Sequence, residues 1–267
     1  MNTLKKIVSL LTIALLLVNC SSNNSDNSST FSINLVPSAT NVVVDQEFSL
    51  TINAYETITG LWASTNNFAT GGYAYDTFGS TYVLRYNFDT LGQKIISIRC
   101  QNQNNEVSEK VITINVTRGN AIKILGVQVI SFSGINTVFD PEFTASNPES
   151  LADLKFGFSK ILIGSPYQVS NGSQYNWRNW YQSQIIPNQG NMSWDCSTAN
   201  LYIDPSRKLR FGLADIDNGI AGADLLNGPP DYREISFNSY LITKPTTISY
   251  SFPEINLEFK VLLEWAN

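Results

Sequence analysis

Alternation between apolar and polar residues is the feature that most restricts how this chain can fold. In residues 48–54, 82–88 and 112–116, every second residue is apolar. The most regular stretch is 255–265, where only Leu262 interrupts the polar face. Successive side chains of a β-strand point to opposite faces of a sheet, so a period of two indicates half-buried strands. A helical period of 3.6 residues is not sustained after residue 20, and the sequence therefore predicts an all-β protein.

Composition excludes several classes of function. The 267 residues include 17 Lys and Arg against 22 Asp and Glu, a net charge of −5, which argues against a nucleic-acid partner. The chain contains no histidine. Because an imidazole cannot then act as a base, a proton shuttle or a metal ligand, Ser-His-Asp triads and HExxH zinc sites are excluded.

The N-terminus has the pattern of an exported lipoprotein. Lys5 and Lys6 precede an apolar run over residues 7–18, which is too short to span a bilayer. The run ends in Leu-Val-Asn-Cys, which resembles the lipobox of bacterial lipoproteins and implies acylation of Cys20. Residues 21–30 contain no apolar residue and predict a flexible tether. We therefore expect a signal peptide over residues 1–19, a lipidated Cys20 with its tether over 20–30, and an outer-membrane lipoprotein of the cell envelope, facing the periplasm or the outside.

Two β-sandwich domains in tandem are predicted after the tether. The turn, strand and hairpin pattern of residues 88–116 resembles the end of a PKD or related Ig-like domain. The resemblance covers residues 31–117 and implies an Ig-like sandwich that serves as a spacer and has Trp62 in its core. Residues 118–120, Arg-Gly-Asn, mark the boundary to a second domain over 118–267. Cys100 and Cys196 fall in different domains, so we expect two buried thiols and no disulfide.

Aspartates of the second domain are the candidate metal ligands. Residues 211–228 contain a strand, the pair Asp215 and Asp217, a glycine-rich loop and then Asp224. Carboxylates this close favour a hard cation such as Ca²⁺, although solvated acids that bind no ion are the alternative. The same order occurs in C2 domains, which residues 121–267 resemble. The resemblance implies a Ca²⁺ site made of Asp140, Asp153, Asp215, Asp217 and Asp224.

A run of aromatic and amide residues within 166–184 is the second candidate site. It includes Tyr175, Trp177, Trp180 and Tyr181. Aromatic rings flanked by amides suit stacking on sugars and also suit a protein interface. The alternative is that these rings cover the edge of the sandwich. Trp194 is excluded from this group, because the resemblance to C2 domains places it in the core.

These features favour a non-catalytic binding or adhesion lipoprotein of the Bacteroidetes type, attached to the membrane by its lipid and binding Ca²⁺ through the C2-like domain. One alternative is a glycan-binding accessory lipoprotein, similar in layout to surface polysaccharide-capture lipoproteins. Another is a structural part of an envelope assembly, with an envelope protein as its partner. An enzyme would need a carboxylate pair such as Asp215 with Asp224, and no hydrophobic setting raises the pKa of either, so we predict that the protein is not an enzyme.

Overall fold

The computed structural model describes residues 31–75, 79–164, 176–217 and 219–266 and shows an all-β protein, as the alternation predicts. No helix within these ranges is long and apolar enough to cross a membrane. The predicted signal peptide over 1–19, Cys20 with its tether to residue 30, and Tyr175 lie outside the described residues.

The first half of the described chain forms a sandwich around one long strand, β3. Antiparallel β1 and β5 pair with the first part of β3, and β6 pairs with its second part. The pairing register of β3 with β5 shifts between Asn53 and Ile58, and beyond this point β6 replaces β1 as the partner of β3. The strands are β1 (Ile33–Pro37), β2 (Asn41–Val43), β3 (Phe48–Ser64), β4 (Tyr73–Tyr75), β5 (Gly79–Tyr86), β6 (Gly92–Asn102) and β7 (Val107–Thr117).

Inward residues of β3 and β6 fill the core of this first sandwich. Leu61 and Ala63 are fully buried, so the residue between them, Trp62, points to the outer face of β3. The Trp62 ring lies over Gly60, where an added Cβ would overlap it. The prediction of Trp62 as a core residue is therefore wrong. The strand alternates as predicted for 48–54, but Trp62 occupies an outward position.

The second half forms a sandwich of two five-stranded sheets. Sheet I has the order β10-β9-β13-β14 with β15 beside β13, and sheet II has the order β11-β8-β17-β16 with β12 beside β8. Phe211 of sheet I stacks on Phe259 of sheet II, with ring centroids 4.0 Å apart. The strands are β8 (Ile122–Ser131), β9 (Leu154–Leu162), β10 (Asn176–Gln182), β11 (Ser193–Asp195), β12 (Leu201–Ile203), β13 (Lys208–Asp217), β14 (Ile220–Asp224), β15 (Arg233–Ser236), β16 (Thr247–Phe252) and β17 (Leu257–Glu264).

Several expectations about the core are confirmed. The alternate residues of β17 from Leu257 to Leu263 are buried, and Leu262 on the other face is 39% exposed. Trp194 is 6% exposed and belongs to the second core. Cys100 and Cys196 are free, buried thiols, and burial raises the pKa of Cys100 to about 12. Both cysteines therefore act as small apolar residues.

Candidate functional site

The five predicted calcium ligands do not meet in one place. Asp140, Asp153 and Asp217 line a cleft of about 480 Å³ at one end of the second sandwich, beside Glu142 and Glu149. We call this the acidic cleft.

Asp215 and Asp224 lie outside the acidic cleft. Asp215 is only 2% exposed, and its Oδ1 accepts a hydrogen bond from the backbone N–H of Asp153 at 2.7 Å. The carboxylate of Asp224 accepts hydrogen bonds from the backbone N–H groups of Leu226 and Gly228, at 2.9 and 2.7 Å. Asp215 therefore braces the loop before β9, and Asp224 closes a turn.

The acids in and beside the acidic cleft disfavour ionisation of Asp140. Partial burial, followed by the charges of Asp215, Asp217, Glu142 and Asp153, raises the pKa of Asp140. A cation would relieve this repulsion. Across the described ranges, however, no group of three or more acidic or cysteine side chains is arranged to hold a metal ion. The residues do not fit the predicted five-ligand site, and calcium binding stays a prediction.

The structure also separates the predicted aromatic group. Trp177 lies on the outer face of sheet I, above Arg210. Trp180 and Tyr181 instead pack against the core of the second sandwich, with Phe158 and Phe156 as ring neighbours. The expectation that these aromatic rings form one surface patch is corrected for Trp180 and Tyr181.

A β-bulge explains this separation. In the pairing of β10 with β9, the register shifts between Asn179 and Tyr181. An extra residue in one strand interrupts the alternation of faces, so that two consecutive side chains, Trp180 and Tyr181, pack inward. The outer face of sheet I keeps Trp177 and Asn179 before the bulge and Gln182 after it. Period-two reasoning cannot locate such an insertion.

An open cleft on the outer face of sheet I brings these outward residues together. Two adjoining hollows, of about 540 and 200 Å³, share part of their lining and form one continuous groove, which we call the sheet cleft. The residues common to both hollows are Gly157, Asn179, Gln182, Gly212 and Asp231.

Two glycines form the floor of the sheet cleft. Gln182 of β10, Gly157 of β9 and Gly212 of β13 are cross-strand partners in one row. A Cβ added at Gly157 or Gly212 would come no closer than 3.4 Å or 3.6 Å, respectively, to its nearest neighbour, which is ordinary contact. The backbone therefore has room for a Cβ at either position, and the absence of side chains leaves the space open. Glycine inside a strand is itself a signal of close approach by another group, which the sequence reading did not use.

One wall of the sheet cleft is an arginine between two aromatic rings. The guanidinium carbon of Arg210 lies 3.9 Å from the ring centroid of Trp177 and 3.8 Å from that of Tyr232. Glu234 accepts hydrogen bonds from Lys208 at 3.0 Å and from Arg210 at 3.4 Å. The hydrogen bond and charge of Lys208, together with those of Arg210, lower the pKa of Glu234. The wall is thus held in place from β10, β13 and β15.

The loop between β14 and β15, which carries Tyr232 of this wall, is held in place by its own residues. Asp224 binds the backbone at the start of the loop. Arg233 donates hydrogen bonds to the carbonyl oxygens of Pro230, at 2.8 Å, and Leu226, at 3.3 Å. These contacts fix Asp231 and Tyr232, which both line the sheet cleft.

Two side-chain amides, those of Gln182 and Asn179, supply polar groups to a remaining lining that is mostly apolar. Gln182 Oε1 accepts a hydrogen bond from Lys155 Nζ at 2.9 Å, which leaves the amide N–H groups of Gln182 as donors. Asn179 lies beside Ser159, with 3.2 Å between Oδ1 and Oγ. Hydrogen-bond donors and acceptors that lie beside aromatic rings suit a ligand rich in hydroxyl groups.

The two sandwiches and the open cleft define an all-β protein of the β-sandwich class. No protein-family model matches the sequence, and no curated protein matches it.

Similar solved structures include fibronectin(III)-like modules of Clostridium thermocellum CbhA, at 9% identity and a TM-score of 0.27, covering 76% of this chain and 93% of that one. A protein described as putatively membrane anchored, from Corynebacterium diphtheriae, has 12% identity and a TM-score of 0.24. The match covers 77% of this chain and 58% of that one. A carbohydrate-binding module from the β-sandwich superfamily has 9% identity and a TM-score of 0.26, covering 89% and 98%. These similarities concern β architecture alone.

Proposed function

We propose that this protein is a non-catalytic binding protein that takes an extended, uncharged oligosaccharide in the sheet cleft. The observation that carries the proposal is the cross-strand row Gln182–Gly157–Gly212, which opens a groove across three strands of sheet I. A groove with a flat floor accepts a chain of sugar rings lying along it. The neighbouring amides of Asn179 and Gln182 supply hydrogen bonds to hydroxyl groups.

The aromatic wall supports a sugar ligand. Aromatic rings present an apolar face and suit the C–H faces of pyranose rings. Trp177 and Tyr232 are both half-buried and both line the smaller hollow of the sheet cleft. Arg210 holds the two rings apart and fixes their positions. The site is therefore organised before a ligand arrives, which reduces the entropy lost on binding.

The positions of the acids support a non-catalytic role. Glycoside hydrolysis needs two carboxyl groups on either side of one bond, about 5 to 10 Å apart. Asp215 is buried, and it is absent from the lining of the sheet cleft, whereas Asp224 contributes to that lining. The Asp224 carboxylate is also occupied by two backbone N–H groups. The pair considered from the sequence does not face a common cleft.

The location at the cell envelope is part of the same proposal and rests on the sequence. The charged start, the short apolar run and Cys20 support export and lipid attachment. An acyl anchor followed by a polar tether would hold the sheet cleft near a membrane surface without inserting it. Mass spectrometry of the protein from a Gram-negative host would detect the acyl chains on Cys20, and a Cys20→Ala variant found in the same membrane fraction would contradict the anchor.

A blocked floor tests the proposed ligand site. The full chain is screened against neutral hexasaccharides of the β-glucan, mannan, xylan and chitin types, and any ligand found is then titrated by calorimetry. Gly212→Leu places a side chain in the groove, and its Cβ meets only ordinary contact with the Asp231 carbonyl oxygen, so we expect affinity to fall by more than about tenfold while the melting temperature stays near that of the wild type.

A matched control and a clear failure complete the experiment. Gln128→Leu introduces leucine at a half-buried position of β8 in sheet II, away from the sheet cleft, and should leave binding unchanged. Binding that survives Gly212→Leu at full affinity would move the ligand site away from the sheet cleft. If no neutral oligosaccharide binds at millimolar concentration, the proposed ligand class is wrong.

A further inference from the structure

A buried ion pair joins the two sandwiches. Nζ of Lys160, in β9 of the second sandwich, lies 2.8 Å from Oδ1 of Asp45, in the turn between β2 and β3 of the first. Both side chains are only 2% exposed. A charge removed this completely from water is tolerated only with a partner and further hydrogen bonds.

Every remaining polar group of this pair is satisfied across the interface or by the fold. Oδ2 of Asp45 accepts a hydrogen bond from the Asp204 backbone N–H at 3.0 Å, and its carbonyl oxygen accepts one from Arg207 at 2.9 Å. Lys160 also donates to the Tyr202 carbonyl oxygen at 3.0 Å, and its Nζ lies 4.0 Å from the ring centroid of Trp180. The second sandwich therefore provides hydrogen-bond donors for both oxygens of one carboxylate of the first sandwich.

The first sandwich holds that carboxylate in a fixed position. Asp45 has a φ of 62°, in the left-handed region, where aspartate is one of the few residues other than glycine found regularly. Its backbone N–H donates to the carbonyl oxygen of Phe88 at 2.9 Å. The turn before β3 and the end of β5 thus present the carboxylate together.

Asn87 makes a second connection beside the ion pair. Its Oδ1 accepts a hydrogen bond from the Ile163 backbone N–H at 2.7 Å, and its own N–H donates to the Ile163 carbonyl oxygen at 3.2 Å. The side-chain amide donates to the Ile161 carbonyl oxygen at 3.3 Å. This arrangement continues β9 onto the first sandwich much as a β-bridge would. It does not touch the ion pair directly, which makes it an independent reporter of the interface.

The chain between the sandwiches is too short to act as a free hinge. Only residues 118–121 separate β7 from β8, and Ala121 is buried in the first core. Arg118 bridges to Glu264 at the end of β17, donating to both its carboxylate and its carbonyl oxygen.

We propose that Asp45 and Lys160 form a charge-matched lock that holds the two sandwiches together as one cooperative unit. The first sandwich is then a fixed part of the molecule and does more than act as the spacer that its resemblance to Ig-like domains implies. The lock does not depend on the proposed sugar ligand. Removing either charge alone leaves the other buried without its ion-pair partner, and the closed interface becomes unfavourable.

Hydrogen exchange and calorimetry of the full chain test the lock with Asp45→Asn and Lys160→Met. We expect the wild type to unfold in one calorimetric transition and each single variant in two. The amide hydrogens of Asp204 and Ile163, which both donate across the interface, should exchange faster by at least about tenfold in each variant, while that of Val127 in the second core stays protected.

The double variant and a surface variant serve as controls. Asp45→Asn with Lys160→Met leaves no unpaired charge, so its Ile163 exchange should be slower than in either single variant. Glu109→Gln breaks the exposed ion pair with Arg99 inside the first sandwich and should change neither the transitions nor Ile163.

Two results would overturn the proposal. If only Asp204 exchanges faster and a single transition remains, the pair acts locally and does not hold the sandwiches together. If the single variants do not fold, the double variant decides, and a double variant no better protected than the single ones contradicts the lock.

Discussion

The guanidinium carbon of Arg210 lies 3.9 Å above the ring centroid of Trp177. Tyr232 covers the opposite face of the same guanidinium at 3.8 Å, so the arginine separates two rings that come from β10 and from the loop before β15. Glu234 accepts hydrogen bonds from Nε and Nη2 of Arg210. One side chain thereby links three elements that line the sheet cleft.

Arg210→Met is expected to loosen this wall. Each cation–π contact at a partly exposed site contributes about 0.5–1 kcal/mol, so losing two should lower the free energy of unfolding by about 1–2 kcal/mol. Urea denaturation measures this loss. Arg210→Lys should recover little of it, because a lysine ammonium cannot stack between two planar rings.

Arg99→Met in the first sandwich is the matched control for Arg210→Met. Arg99 lies 4.5 Å from the centroid of one ring, Phe68, and pairs with Glu109. With one ring contact in place of two, its removal should cost about half as much as that of Arg210. Equal losses for the two variants would show that the second ring contributes nothing.

Glu234 should make the stability of sheet I depend on pH in the acid range. The hydrogen bond and charge of Lys208, with those of Arg210, lower the pKa of Glu234 below its usual 4.5. A carboxyl whose folded pKa is lowered contributes stability above its unfolded pKa and loses it as the pH falls through the folded value. Glu234→Gln should therefore melt below the wild type at pH 6 to 7, and the two curves should approach each other as the pH falls below 4.5.

Melting temperatures measured from pH 3 to 7 give this comparison directly. Glu254→Gln is a suitable control, because Glu254 is 61% exposed and lies 3.8 Å from its partner Arg233. Its removal should leave the curve almost unchanged. A gap between wild type and Glu234→Gln that is as wide at pH 3 as at pH 7 would exclude the assigned cause.

Asp224→Ala should destabilise the loop between β14 and β15. The change leaves the backbone N–H groups of Leu226 and Gly228 without their acceptor, and a lost cap of this kind costs about 1–2 kcal/mol. Hydrogen exchange at Leu226 should accelerate. Asp231→Ala on the same loop removes an exposed carboxylate and should alter stability by less than about 0.5 kcal/mol. Similar losses in the two variants would contradict the capping role of Asp224.

The strands could be read from the sequence because burial in a sandwich imposes a period of two. Residues 257–263 show the case at its simplest, since β17 is paired on both sides and its inward residues are all apolar. Trp62 shows the limit of this reasoning, because a large aromatic side chain can occupy the outward position and cover a neighbouring glycine. Alternation identifies the two faces of a strand, and tertiary packing decides which face a tryptophan takes.

The sheet cleft could not be predicted, because it depends on register between strands far apart in the chain. Gln182, Gly157 and Gly212 become neighbours only through the pairings of β10 with β9 and of β9 with β13. The bulge after Asn179 also moves Tyr181 inward. Asp45 and Lys160 are separated by 115 positions, and no local pattern marks either as half of a buried pair.

Calcium provides the sharpest comparison between the sequence prediction and the structure. If the ion binds in the acidic cleft at about 1 mM affinity, 10 mM Ca²⁺ would add about 1.4 kcal/mol and raise the melting temperature by about 3–5 °C, with Mg²⁺ as the control. Asp217 lines that cleft and Asp224 does not. Asp217→Asn should therefore abolish the rise in melting temperature that Ca²⁺ causes, and Asp224→Asn should retain it.

In EDTA, Asp217→Asn should melt above the wild type, because it removes a charge facing Asp140. A Ca²⁺ shift lost equally in both variants would restore the five-ligand site, and a wild type insensitive to Ca²⁺ would end the calcium prediction.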